Sequence, residues 1–86
     1  MNYYPFHVGD YIAHTAHLDP LEDIAYRRML DLYYMQEQPL PIDGNKLLRL
    51  IRMKDHAEVV DRVLREFFVM TENGWIHERT EEYLSS

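Results

Sequence analysis

The chain has 86 residues, of which 47% are apolar and 13% aromatic, with a formal net charge of -6 at pH 7 and no cysteine. That length supports one domain with one modest core, burying roughly 60–65% of the surface its unfolded form exposes, and leaves little room for a large catalytic cleft. The composition is too apolar for a disordered tail, the lack of cysteine removes disulfides, thiolate metal sites and cysteine nucleophiles, and no apolar run approaches the roughly 18 residues of a membrane span, so the reading is a soluble, cytoplasmic protein.

In chain order, Tyr3 to Phe6 reads as an extended segment and the stretch around His14 and His17 as irregular. Asp19, Pro20 and Glu22 then supply a cap, a proline at the first helical position and an acidic third residue, all favourable to unpaired amides and to the helix dipole. Leu21, Ala25, Met29, Leu32 and Tyr33 recur at helical spacing, which makes this the central core helix, with Pro39 as its latest end. Arg28 falls inside the apolar arc, where a guanidinium needs a carboxylate or carbonyl partner.

Leu40 to Ile42 reads as a short strand able to pair with a later hairpin. Asp43 caps a second helix with Leu47, Leu48, Leu50 and Ile51 as its apolar stripe, ending near Met53. A third helix begins near Asp55, with Glu58 three residues on; Val60, Val63, Leu64, Phe67 and Phe68 cover one side. The pairs Glu58 with Arg62 and Asp61 with Arg65 have i to i+4 spacing on the other. Residues 69–71 and 75–78 flank Glu72-Asn73-Gly74, where Asn-Gly signals a tight hairpin turn with positive backbone dihedrals. Trp75, directly after that turn, is expected to pack against Phe67 or Phe68. Arg79 to Ser86 reads as a short helix. The result is a single α+β domain over 1–86, winged-helix-like, with three helices and a C-terminal β-hairpin, of the kind a longer protein carries at its N-terminus.

Chemistry-bearing constellations are few. His14 and His17 stand three apart with His7, Asp10 and Asp19 nearby, but no glutamate base of the H-E-x-x-H type accompanies them, so no metal is expected. Ser85, Ser86, Thr15 and Thr71 lie in no nucleophile motif, and Gly9, Gly44 and Gly74 are isolated, so no phosphate loop is present. No catalytic residue or cofactor follows. The acidic balance argues against the whole surface binding a polyanion. Between Gly44 and Lys54, however, Lys46, Arg49, Arg52 and Lys54 occur with no carboxylate among them.

Tyr3-Tyr4-Pro5-Phe6-His7-Val8-Gly9-Asp10-Tyr11 and Ala25-Tyr26-Arg27-Arg28-Met29-Leu30-Asp31-Leu32-Tyr33-Tyr34 resemble the N-terminal domain of the YdaU-like prophage proteins. The likeness continues through Pro39-Leu40-Pro41, residues 64–68 and Thr71-Glu72-Asn73-Gly74-Trp75. The resemblance implies a winged-helix-like domain of unknown function, associated with phage DNA replication. The expected role is a non-enzymatic DNA-binding or assembly module. Lys46, Arg49, Arg52 and Lys54 serve as phosphate contacts, joined by His56 and Arg62, and binding is weak and salt-sensitive. The alternative is a protein-interaction module that forms a homo-oligomer or recruits a helicase or its loader, with Tyr33, Arg62 and Arg65 on its interface. Neither reading involves a membrane.

Overall fold

The computed structural model describes residues 8–77. The expected extended segment at Tyr3 to Phe6, His7, and the expected helix at Arg79 to Ser86 lie outside them. The described residues form an α+β fold: α1 (Val8–Thr15), α2 (Pro20–Gln36), α3 (Gly44–Leu50) and α4 (Ala57–Phe67), followed by an antiparallel pair, β1 (Phe68–Thr71) and β2 (Gly74–His77). The described residues therefore contain four helices where three were expected.

The additional helix is α1, in the segment expected to be irregular. Two turns are too short to hold as an isolated helix. Tertiary contacts supply what propensity lacks: the Tyr11 ring stacks on Tyr26 at 5.8 Å between centroids, and its hydroxyl donates to the Asp23 carboxylate on α2. Thr15 Oγ1 donates back to the Tyr11 carbonyl at 2.6 Å.

α2 starts where its sequence requires. The Asp19 side chain accepts from the Glu22 amide at 2.9 Å and the Glu22 side chain accepts from the Asp19 amide at 3.0 Å, a reciprocal capping box with Pro20 inside it. Its core face is Ala25, Tyr26, Met29, Leu30, Leu32 and Tyr33. Leu21, expected in that stripe, is 42% exposed; the core face is turned toward Met29, which leaves the first-turn leucine on the helix flank. Tyr26 takes the larger place. Phe67 stacks on it at 4.1 Å, Phe68 meets it edge-on at 6.4 Å, and its hydroxyl shares a buried 2.7 Å hydrogen bond with His77 Nε2.

Asp43 caps α3 by accepting from the Asn45 amide at 3.0 Å. The helix stops at Leu50, three residues before the expected end, because the chain closes it with a Schellman turn. Met53 N–H donates to the Leu48 carbonyl at 2.8 Å, Arg52 N–H donates to the Arg49 carbonyl at 3.1 Å, and Arg52 takes the left-handed conformation with φ of 60°. This turn sends Met53 into the core beside Leu47, Leu48 and Ile51 and leaves Leu50 exposed, against its expected place in the apolar stripe. It also sets the start of α4 one residue later than Asp55 allows. His56 is the cap position and makes no side-chain cap bond. Arg62 does not pair with Glu58; its Nε donates across to Glu22 of α2 at 3.2 Å. The Asp61 and Arg65 pair forms as spaced, at 2.9 Å.

The hairpin runs in the register Phe68 with His77, Val69 with Ile76, Met70 with Trp75 and Thr71 with Gly74. Within the turn Gly74 carries a positive φ, 129°, and Asn73 does not, contrary to expectation. Thr71 Oγ1 takes over the turn, donating to the Gly74 carbonyl at 2.7 Å and accepting from the Asn73 amide at 3.2 Å. Of the short strand expected over Leu40 to Ile42, Leu40 alone pairs, as an isolated rung: its amide donates to the Trp75 carbonyl at 2.9 Å and its carbonyl accepts from the Trp75 amide at 3.0 Å. Trp75 is half-buried against the core, in a segment that is strand and not helix.

Candidate functional site

A cationic ridge occupies α3 and the turn after it. Asp43 and Gly44 start the helix, and Lys46 and Arg49, three apart, follow on its outer side. The Schellman turn then brings Arg52 and Lys54 around the end of the helix. Arg49, Arg52, Lys54 and His56 line one shallow depression with Leu48, Met53 and Asp55. All five basic side chains of this stretch are exposed.

The state of pairing separates these cations from the rest. Arg27, Arg62 and Arg65 sit in ion pairs with Asp31, Glu22 and Asp61. Arg28, the arginine in the apolar arc, donates from Nη1 to the Ile51 carbonyl at 3.1 Å and to the Arg52 carbonyl at 3.3 Å. It thereby closes the C-terminal end of α3, where positive charge is favoured. Lys46, Arg49, Arg52 and Lys54 form no ion pair with any described residue. Asp55 shares their depression, and on α4 Asp61 and Glu66 are turned to other partners, Arg65 and His17.

The structure does not bring every sequence-predicted residue to this ridge. Arg62 lies on α4 with its guanidinium on Glu22, outside the depression. Arg65 is exposed but held by Asp61. Tyr33, expected on an interaction surface, is 1% exposed and makes edge contacts with Tyr34 and Phe68; its side chain is core and cannot meet a partner. The burial follows from its place on the same face of α2 as Met29 and Leu30.

His17 Nε2 donates to Glu66 of α4, and its ring lies 6.2 Å from Phe67. Among the described residues no three histidine, aspartate or glutamate side chains converge on a point where a metal ion could sit. At Tyr11, burial first and the bonded Asp23 carboxylate second raise the phenol above the usual tyrosine range. The hydroxyl therefore stays protonated and acts as a donor that ties α1 to α2. No described helix is long and apolar enough to cross a membrane.

An α+β chain with this order of elements, this ridge and these motifs belongs to the family described as a protein of unknown function, DUF1376, whose model matches residues 2–85. It is 33% identical over 85 residues to the uncharacterized protein YdaU of Escherichia coli strain K12. The alignment takes in 98% of this chain and 29% of YdaU, so the chain spans less than a third of that relative's length. No solved structure matches it.

Proposed function

We propose that the chain is a non-enzymatic, winged-helix-like DNA-binding module of phage or prophage replication, gripping phosphates with Lys46, Arg49, Arg52 and Lys54. One observation carries the reading: on an acidic chain these four exposed cations form no ion pair with any described residue, while every other described arginine is engaged within the fold. An exposed unpaired cation meets a phosphate without first breaking an internal bond, and counterion release from the polyanion supplies the driving force. In a helix-turn-helix reading, α4 would face the major groove. Its outer face carries Glu58, Asp61 and Glu66 against Arg62 and Arg65, and both arginines are already paired. Base readout by α4 is therefore disfavoured, and the binding proposed is weak and largely independent of sequence.

The test is a salt-titrated binding measurement on duplex and single-stranded DNA. Four phosphate contacts give a slope of log affinity against log salt of about -3 to -4, a loss of roughly a hundredfold between 50 and 200 mM. Arg49→Glu with Arg52→Glu should abolish retention on DNA while the circular dichroism spectrum stays unchanged. No binding at about 50 mM salt, where the electrostatic contribution is large, would overturn the reading. That result would favour the alternative, a module that dimerises or recruits a replicative helicase or its loader, which the mixed-charge, largely ion-paired face of α4 supports.

A further inference from the structure

α2 carries more apolar surface than the core takes up. Its six buried side chains form one broad face, yet Leu21 and Ile24 are each 42% exposed and Met35 73%. With Arg28 and Asp31, these positions follow one another at steps of three and four, the spacing of a helix-pairing seam, and extend over about 20 Å of helix. Leu50 of α3 borders the seam and shares one shallow depression with Arg28, Asp31 and Met35. Apolar side chains of α2 thus continue past its buried face, beside the polar side that holds Arg27 and Asp31, and such an extension invites a second cover. In this fold α4 covers α2 on one side.

The charge pattern selects the occupant. Along the seam the order is Ile24, Arg28, Asp31, Met35: apolar, cation, anion, apolar. Reversed, that order exchanges the two charges and leaves the apolar ends matched. Two such seams run antiparallel about a two-fold axis between Met29 and Leu30 set Arg28 against Asp31 of the partner subunit, and Ile24 against Met35 of the partner subunit, each twice. A parallel in-register pair would instead set like charges together. Arg28 keeps donors for the exchange: both of its carbonyl bonds leave from Nη1, so Nε and Nη2 remain. We propose that this face of α2 is the docking surface for a second copy of the chain, packed α2 against α2 in antiparallel fashion. The inference stands apart from the DNA reading in its readout, which involves no nucleic acid, although Arg52 of the cationic ridge lines the same depression as Leu50 and Met35.

A single helix pair lies at the small end of stable interfaces, so the association is concentration-dependent. Sedimentation velocity without DNA, from about 10 to 500 µM, a span that brackets weak affinities, should show the monomer mass doubling. Met35→Glu should remain monomeric across that range with unchanged melting at low concentration, and Asp31→Arg, which also removes the exposed ion pair with Arg27, should be monomeric too. The chain contains no cysteine, so orientation can be read directly. An oxidised mixture of Ile24→Cys and Met35→Cys chains should give the mixed disulfide dimer, and either variant alone should give little, because equivalent positions then stand about 16 Å apart along the helix. A wild-type monomer at every concentration would overturn the proposal and assign the face to another occupant. So would a dimer that survives Met35→Glu and yields no mixed cross-link.

Discussion

A Cβ added at Gly74 meets the Leu40 carbonyl oxygen at 2.3 Å and the Pro39 Cβ at 3.0 Å, on a backbone with φ of 129°. Gly74→Ala therefore incurs two separate penalties. An L side chain in that region of backbone space costs about 1–3 kcal/mol. The clash is with backbone and cannot be relieved by a rotamer change; moving Leu40 away breaks its two hydrogen bonds to Trp75, each contributing about 1 kcal/mol. The expected loss is about 3–5 kcal/mol out of a total stability of roughly 4–13 kcal/mol for a chain of this size. Urea unfolding followed by Trp75 fluorescence and by far-ultraviolet circular dichroism should show the midpoint falling in both signals. Asn73→Ala serves as the companion, expected to cost less than about 0.5 kcal/mol because Asn73 does not need a positive dihedral. A Gly74→Ala loss below about 1 kcal/mol, or an Asn73→Ala loss equal to it, would refute the assignment of the turn.

Three further outcomes are expected. Arg28→Met keeps the apolar stem but removes the donor to the Ile51 and Arg52 carbonyls; with the outer bond discounted for solvent, chemical denaturation should show a loss of about 2 kcal/mol. Arg52→Gly relieves the left-handed strain at φ of 60°, so stability should rise by about 0.5–1 kcal/mol, while the salt slope of DNA binding falls by about one unit: one substitution with opposite effects on folding and binding. The Tyr11 phenol is raised by burial and by Asp23, so it binds its proton more tightly folded than unfolded; its contribution is complete below the free tyrosine value of about 10 and fades as pH rises beyond it. Stability measured between pH 8 and 11 should decline less steeply at the alkaline end in Tyr11→Phe than in the wild type.

Local signals were legible and distant pairings were not. Asp19, Pro20 and Glu22 placed the start of α2, Asp43 that of α3, and Asn73-Gly74 the hairpin, because each is a contact among residues a few positions apart. Leu40 was also readable as a strand, flanked as it is by Pro39 and Pro41. The failures share a cause. α1 is helical because Tyr11 finds Tyr26 and Asp23 on another element, Arg62 leaves Glu58 for Glu22 on another helix, and Leu21 and Leu50 are exposed because neighbouring elements fix the rotation of their helices. Of the ridge, the residues were readable as a run without carboxylates. That they form no ion pair with any described residue emerged only once the partners of the other described arginines were known. The partner requirement of Arg28 was readable from its place in the apolar arc, and the identity of the acceptors, two carbonyls on α3, was not.

The single rung between Leu40 and Trp75 joins segments separated by α3, α4 and β1. Closing a loop of that length costs about 3 kcal/mol of chain entropy beyond the constant term, more than two backbone hydrogen bonds return. The rung cannot lead assembly and forms after α2 and α4 have come together. Substitutions that disturb it should leave the folding rate near the wild-type value and act on unfolding, with φ-values close to zero. For a loss of 4 kcal/mol at Gly74 the native state would then open about a thousandfold faster while forming just as quickly. What the bare backbone at Gly74 protects is the lifetime of the fold and not the speed of its formation.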